Sequence, residues 1–180
     1  TDVVQALFGD SILDLKYFWF EQMDLDGIPL VLSRTGWSNE RGYELFLQDG
    51  SRGDELWEKI MAAGKPFNIS PACPSQTKRM EAGLLSYGND LDQSLNPLEV
   101  GMDKFVDLDK PIDFIGKQAL QKIAETGITR KLMGAVIEGD ALPVNEHRWP
   151  VYVDDRRVGE LTSCVYSPSM ESNIAYIIMP

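Results

Sequence analysis

A β-hairpin is encoded by the segment MDLDGIPLVLS, which runs from Met23 to Ser33. Its centre, Asp26-Gly27, is a dipeptide favoured in two-residue type I′ turns, because both turn residues there adopt positive φ. The residues before the turn, Tyr17–Leu25, alternate as a strand does, and the apolar run Ile28–Ser33 follows it. The segment therefore predicts two antiparallel strands joined by a tight turn.

The regions on either side of this hairpin predict further helices and a third strand. The segment Val3–Phe8 predicts the end of a helix, with Gly9 as its C-terminal cap. A polar loop over residues 34–42 leads into the alternating strand Tyr43–Leu47. Ser51 and Asp54 have the spacing of a capping box ahead of a helix over Glu55–Ala63, which Gly64 ends.

The second half of the chain changes from helical to β-rich. Pro74 and Ser75 open a helix that stops at Gly83, Leu84–Asn96 is irregular, and Asp113–Gly127 is expected to be helical. That helix would direct four apolar residues at a core: Phe114, Ile115, Leu120 and Ile123. Four strands are predicted after it, with a hairpin at Asp154-Asp155: Leu132–Ile137, Val151–Val153, Arg157–Cys164 and Ile174–Met179. We expect an α+β portion at 1–129 and a β-rich portion at 130–180.

Composition argues against two classes of partner. The chain has 180 residues, with 28 acidic and 17 basic side chains and a net charge of −11. Binding to nucleic acid needs clustered Lys and Arg to neutralise phosphates, so this balance disfavours it. No apolar run approaches the roughly 20 residues of a membrane span. We therefore expect neither a nucleic acid nor a membrane as partner.

The cysteines and the histidine give no sign of a metal site. Cys73 and Cys164 are far apart and in no metal-binding spacing, and His147 is the only histidine. We expect two buried thiols in a reducing compartment, which indicates the cytoplasm. The apolar run at 174–179 stops at Pro180, and a chain seldom ends on an unpaired hydrophobic strand. That ending predicts a fragment of a longer protein.

Two stretches could carry chemistry. The first runs from Ser33 to Glu44, where Glu44 stands in an aromatic and aliphatic strand. Alternation favours an outward Glu44 with Tyr43 and Leu45 inward; an inward carboxylate would have to be paired, because burying it alone is costly. The second stretch, Lys78–Asp90, passes from a helix into a tight polar loop. Composition alone explains it as an ordinary helix C-terminus.

Several ordered blocks of this sequence resemble the aminomethyltransferase (glycine-cleavage T-protein) superfamily of folate-dependent enzymes. They are Arg34-Thr35-Gly36, Gly42–Leu45, Arg79–Gly83, Tyr87–Asp90, Phe114–Lys117, Gly159–Ser163 and Ser167-Pro168. The resemblance covers nearly the whole chain in the correct order. It implies a T-protein-like α+β fold: a mixed sheet and helix portion that binds folate, followed by the start of a β-barrel-like C-terminal domain.

Within that superfamily the chain is similar to the dimethylsulfoniopropionate demethylases. The similarity lies in Gly36-Trp37-Ser38, Gly64–Asn68, Cys73-Pro74 and Leu85–Asp90. One departure is Phe46, because the demethylases have Tyr two residues after the position of Glu44. The resemblance implies tetrahydrofolate as methyl acceptor and a sulfonium compound, dimethylsulfoniopropionate, as donor. The products would be 5-methyltetrahydrofolate and methylmercaptopropionate.

The same resemblance implies roles for seven side chains. The folate-binding residues would be Glu44, Arg79, Tyr43 and Tyr87, and the donor-binding residues would be Trp37, Asp90 and Phe46. A sulfonium methyl is already a strong electrophile, so we expect the protein to orient the reactants without a proton shuttle or a metal. Tyr43 and Tyr87 are equally well explained as core aromatics with satisfied hydroxyls.

Three alternatives stay open at this point. The chain could be a T-protein-like aminomethyltransferase that accepts its group from a lipoylated carrier protein. It could be a folate-binding paralogue without catalysis. The 180-residue chain could also be inactive on its own.

A second copy of the chain, forming a homodimer, is a further expected partner.

Overall fold

The structure is a computed structural model that describes residues 1–180. It divides into two compact units, which we call the N-terminal unit, Thr1–Ser75, and the C-terminal unit, Gln76–Pro180. The boundary expected at residue 130 lies inside the C-terminal unit, just before a strand, and stays a prediction. The mixture of helices and antiparallel sheets agrees with the expected α+β fold.

The N-terminal unit contains a three-stranded antiparallel sheet and two α-helices. In chain order they are α1 (Asp2–Phe8), β1 (Phe20–Leu25), β2 (Ile28–Ser33), β3 (Glu44–Leu47) and α2 (Gly53–Gly64), with 3₁₀ turns at Asp10–Asp14, Gly50–Arg52 and Lys65–Phe67. The sheet order is β1-β2-β3. Asp26 and Gly27 have φ of 53° and 84°, so the predicted type I′ hairpin is confirmed.

One face of this sheet forms the core of the unit. Ile12, Ile28, Leu30 and Leu32 are fully buried, and Leu56 is buried beside them. Helices α1 and α2 contact each other. Burying a side chain of this size contributes about 1.5–3 kcal/mol to folding. The alternation of β2 therefore determines which face of the sheet is covered by the core of this unit. The opposite face does not belong to that core.

Two local predictions in this unit are wrong: where the first strand begins, and which residue provides the helix cap. β1 begins at Phe20 and not at Tyr17, because Phe18 has a φ of 65°, which extended backbone does not allow. The capping box is absent: Asp49, not Ser51, accepts the capping hydrogen bond, and it caps the 3₁₀ turn that precedes α2. Two acidic residues, Asp54 and Glu55, stand in the first turn of α2, where they favour the helix dipole.

The C-terminal unit contains two helices and a four-stranded antiparallel sheet in the order β4-β7-β6-β5. Its elements are α3 (Gln76–Glu81), α4 (Lys117–Thr126), β4 (Lys131–Ile137), β5 (Trp149–Val153), β6 (Arg156–Ser167) and β7 (Ser172–Met179), with a 3₁₀ turn at Asp103–Phe105. All four strands were predicted. β7 lies inside the sheet and pairs with both β4 and β6.

Three other expectations differ from the structure. The helix expected from Asp113 begins only at Lys117, after Gly116 with its φ of 91°. Phe114 and Ile115 therefore lie outside it and are exposed instead of facing a core. Only one of the two thiols is buried: Cys164 is, and Cys73 is exposed. None of the helices has the length and apolar character needed to cross a membrane.

Candidate functional site

The uncovered face of the N-terminal sheet carries an acidic and aromatic surface. The register places Glu44 opposite Ser33, and Ser33 opposite Phe20 on the other side. The next row on the same face contains Phe46 and Val31. Because residues paired across antiparallel strands project to the same face, these side chains are neighbours. We call this surface, formed by Phe20, Val31, Glu44 and Phe46, the open face.

Glu44 points to the open face, as its alternation in the strand predicts. It is exposed, and one of its carboxylate oxygens, Oε2, accepts a hydrogen bond from the Thr35 hydroxyl. Thr35 Oγ1 in turn lies 3.0 Å from Ser33 Oγ. The other oxygen, Oε1, has no partner in the chain. Glu44 is thus held by its neighbours and retains acceptor capacity toward solvent or a ligand.

Two aromatic side chains named from the sequence are exposed in the same unit. Phe46 is 54% exposed on the open face beside Glu44. Trp37 is 40% exposed in the loop that joins β2 to β3. Neither ring belongs to the buried core of the unit.

Tyr43 lies on the opposite side of the sheet from Glu44. Its ring packs against the core of the N-terminal unit, and its hydroxyl donates to the Ile12 carbonyl at 3.0 Å. The structure therefore places Tyr43 as a core aromatic with a satisfied hydroxyl. Its neighbour Glu44, one residue further along the strand, faces away from it.

Phe20 is an open-face residue for which the sequence predicted no role. It is 63% exposed and occupies the same cross-strand row as Glu44. The signal was present in the hairpin: pairing Leu25 with Ile28 across the Asp26-Gly27 turn and counting outward puts Phe20 opposite Ser33. The missing step was the pairing of β3 with β2, which no short turn fixes.

The C-terminal unit buries an ion pair between two of the predicted site residues. Arg79 Nη1 lies 2.7 Å from Asp90 Oδ2, and the two side chains are 1% and 0% exposed. Asp90 also accepts hydrogen bonds from the Ser86 amide at 2.9 Å, from the Thr162 hydroxyl at 2.9 Å and from the Ser163 hydroxyl. The carboxylate is thus fully paired within the protein.

Arg79 is engaged in the same network. Its Nε donates to Gln76 at 2.6 Å, its Nη1 also donates to the Leu84 carbonyl at 3.0 Å, and its Nη2 donates to Ser163 at 2.9 Å. These bonds tie the end of α3 and the following loop to β6. The structure thus gives Arg79 and Asp90 partners within the protein, and their expected contacts with folate and donor stay predictions. Thr162 and Ser163 belong to the block Gly159–Ser163 that resembles the superfamily, but nothing in the sequence indicated their hydrogen bonds to Asp90.

The loop held by this network presents Tyr87 to solvent. Tyr87 is 68% exposed and forms an isolated bridge with Leu91. Beside the network lies a cavity of about 240 Å³, with Asn89, Arg148 and the exposed His147 in its lining. Arg148 Nη2 donates to the Asn89 carbonyl at 2.9 Å, which closes the loop from the other side. Of the predicted residues in this unit, only Tyr87 has its side chain available for a ligand.

Titratable groups around the network are shifted by their surroundings. Hydrogen bonds from Ser167 and Ser169 lower the pKa of Glu81 below its ordinary value. Burial raises the pKa of Tyr176, and the negative charge of Asp90 adds to this effect. The Tyr176 hydroxyl is buried without a hydrogen-bond partner. No group of three or more His, Cys, Asp or Glu side chains could hold a metal ion.

Comparison with protein families gives two matches along the chain. Residues 1–110 match the family model of the GCVT N-terminal domain. Residues 130–180 match that of the glycine cleavage T-protein C-terminal barrel domain. The first match alone covers more than half of the chain.

Individual relatives point to the same family. A dimethylsulfoniopropionate demethylase of Ruegeria pomeroyi is 36% identical over 97% of this chain and 47% of its own length. An aminomethyltransferase of Caldanaerobacter subterraneus is also 36% identical, over 99% of this chain and 47% of its own. The chain therefore spans about half the length of these curated relatives.

A solved structure has the same fold. The glycine cleavage system aminomethyltransferase T from Bartonella henselae superposes with a TM-score of 0.71 at 21% identity, over 93% of this chain and 45% of that one. The expected T-protein-like fold is confirmed by this similarity and by the two domain matches. The chain belongs to the glycine cleavage T-protein (GCVT) family.

Proposed function

We propose that this chain is part of a tetrahydrofolate-dependent methyltransferase that takes a methyl group from dimethylsulfoniopropionate. The observation that carries the proposal is the placement of Glu44: an exposed carboxylate on a sheet face, anchored through Oε2 and unpartnered at Oε1. Two parallel acceptors on a carboxylate match the neighbouring N–H donors of a pterin ring. The 36% identity to a demethylase supports the choice of donor.

The open face fits a flat heterocycle in other respects. Phe20 places apolar surface in the same cross-strand row as Glu44, and Val31 and Phe46 add apolar surface in the next row. An aromatic ring of this kind can pack against a pterin while the carboxylate fixes the ring's edge. We assign folate binding to Glu44, with Phe20 and Phe46 as the apolar contacts.

The donor requires recognition of a cation. A sulfonium placed over an indole face gains about 0.5–2 kcal/mol, and Trp37 is the exposed indole of the loop between β2 and β3. Trp37 is therefore our candidate for donor binding, and Phe46 for the neighbouring contact. Tyr87 is retained as a further ligand contact. Arg79 and Asp90 are assigned a positioning role, because they hold the loop that carries Tyr87.

The transfer itself needs little from protein groups beyond orientation. The lone pair of folate N5 attacks the methyl carbon as the carbon–sulfur bond breaks, and the bonding electron pair stays on sulfur. The leaving group is a neutral thioether, and the N5 proton is released. Holding the two reactants in line can supply roughly 7–11 kcal/mol of the barrier reduction. No side chain of this chain is assigned a proton-transfer step.

A second candidate function is aminomethyl transfer from a lipoylated carrier protein. It is favoured by the equal 36% identity to an aminomethyltransferase. A folate-binding paralogue without catalysis is the third outcome. For the methyltransferase we further propose the cytoplasm as compartment and a homodimer as assembly.

Mass spectrometry of the reaction products distinguishes these functions. The full-length protein is incubated with tetrahydrofolate and dimethylsulfoniopropionate, and 5-methyltetrahydrofolate and methylmercaptopropionate are quantified. Their appearance in equal amounts is the expected result. Folate binding with no methylated product contradicts the proposal, and a parallel reaction with the lipoylated carrier then separates the two remaining functions.

A further inference from the structure

A pocket of about 280 Å³ in the N-terminal unit is lined by two arginines. It lies on the loop between β2 and β3, and its lining residues are Tyr17, Arg34, Asn39, Glu40, Arg41 and Gly42. The functional assignment above uses none of them. Arg34 opens one of the blocks that resemble the T-protein superfamily, Arg34-Thr35-Gly36.

Arg34, one of the lining residues, is held by three hydrogen bonds. Its amide donates to the Trp19 carbonyl at 2.9 Å, and its carbonyl accepts from the Phe18 amide at 3.1 Å. Its Nη1 donates to the Leu15 carbonyl at 2.8 Å. Nε of the same guanidinium is buried and has no acceptor. A buried charged donor without a partner is unfavourable, and the charge of Arg34 is not compensated by an ion pair within the chain.

Arg41 brings a second positive charge to the pocket. Its Nη2 donates to the Leu13 carbonyl at 3.3 Å. Neither Arg34 nor Arg41 forms an ion pair, although five other arginines do and the chain carries a net charge of −11. The lining residues therefore include two arginines and one carboxylate-bearing residue, Glu40.

We propose that this pocket binds the carboxylate of a ligand through Arg34 and Arg41. The Nε–Nη2 edge of a guanidinium presents two parallel donors that match the two oxygens of a carboxylate. The inference rests on the proposed function for its ligands, because both of them carry a carboxylate: the glutamate tail of tetrahydrofolate and the propionate end of dimethylsulfoniopropionate. The site is defined by the shared carboxylate chemistry, and the experiments below identify its source.

The first experiment tests the pocket without either ligand. The Nε–Hε signal of Arg34 is followed by NMR in the full-length protein, assigned by its loss in Arg34→Lys, while propionate is added. A saturable shift with propionate, but not with uncharged propionamide, is expected, with affinity about tenfold lower in Arg41→Gln. Arg156→Gln is the matched control, because Arg156 is exposed, without an ion pair and in the other unit. Equal responses to propionate and propionamide would mean that the pocket does not recognise the carboxylate charge and that water is the partner of Nε. That result would overturn the proposal.

The second experiment identifies which carboxylate is bound. Affinities are measured for tetrahydrofolate against a tetrahydropterin lacking the glutamate tail, and for dimethylsulfoniopropionate against its methyl ester. An effect of Arg41→Gln of about tenfold confined to tetrahydrofolate assigns the tail, and one confined to the free acid of the donor assigns the donor. If both ligands bind and Arg41→Gln changes neither, the carboxylate site is refuted. If neither ligand binds the wild-type protein, the proposed function fails, and the propionate titration still decides the pocket.

Discussion

Replacing Asp90 with alanine should destabilise the C-terminal unit much more than removing an exposed carboxylate. Asp90 is completely buried and accepts hydrogen bonds from Arg79, Ser86, Thr162 and Ser163. The alanine variant would leave the Arg79 guanidinium buried without its counter-charge. Breaking a buried ion pair in this way costs about 3–5 kcal/mol, because the remaining charge stays desolvated.

Asp92→Ala is the matched control for this change. Its carboxylate lies two residues further along the same loop, is 39% exposed and pairs with Arg148 at 3.2 Å. An exposed ion pair contributes about 0–1 kcal/mol. A double variant, Arg79→Met with Asp90→Leu, should recover much of the loss, because it removes both charges and fills the space with apolar atoms.

The free energy of local opening can be measured by hydrogen exchange of peptides from β6 and β7, which reports on the C-terminal unit alone. We expect faster exchange in Asp90→Ala by a factor corresponding to about 3–5 kcal/mol, and nearly wild-type exchange in Asp92→Ala. A loss below about 1 kcal/mol for Asp90→Ala would refute the argument. It would mean that the pair does not hold the loop, and the expected ligand contacts of Arg79 and Asp90 would have to be reconsidered.

Three further predictions concern single side chains. Trp37→Leu should weaken dimethylsulfoniopropionate binding by about 0.5–2 kcal/mol, as measured by calorimetry. Binding of methylmercaptopropionate, which keeps the carboxylate but has an uncharged thioether in place of the sulfonium, should weaken by less; equal losses would argue against a cation–π contact. Phe46→Tyr should change the free energy of unfolding by no more than about 0.5 kcal/mol, because the ring is exposed. It should raise the affinity for donor or folate by about 1 kcal/mol if the added hydroxyl gains a hydrogen bond to that ligand. Unchanged affinity for both ligands would show that the hydroxyl at this position contributes nothing to binding. The pKa of Glu81 is lowered in the folded state, so its contribution to stability is present above the ordinary value of 4.5 and is lost as pH falls through the lower folded-state pKa. Urea denaturation at pH 7 and in acid should therefore show a smaller pH dependence of stability in Glu81→Gln than in the wild type. The same pH dependence in both proteins would contradict the pairing of Glu81 with Ser167.

The local elements of the fold could be predicted because their signals are local. The Asp26-Gly27 turn fixed both the hairpin and its register, and the alternation around Glu44 predicted its exposure correctly. The errors arose where a boundary depends on one backbone angle. Phe18 and Gly116, both at positive φ, shorten an otherwise regular strand and helix, and composition does not reveal such angles.

The candidate site was harder to predict because it depends on pairing between distant segments. The resemblance brought Arg79 and Asp90 to attention, but only the packing of α3 and its loop against β6 shows that they bind each other. Ser163 reaches them from more than 70 residues away in sequence. Phe20 comes into the same row as Glu44 only through the pairing of β3 with β2. Long-range contacts of this kind have no signal in a single sequence.

The affinity of a Glu44→Gln variant for tetrahydrofolate tests the central claim most directly. Glutamine keeps the size of the side chain but loses the charge and one of the two acceptors, and Glu58→Gln on the exposed side of α2 is the control. Calorimetry should show a loss of about 1.5–3 kcal/mol, or about 10- to 100-fold in Kd, for Glu44→Gln with unchanged near-UV circular dichroism. Affinity within about twofold of both the wild type and the Glu58→Gln control would contradict the placement of folate on the open face.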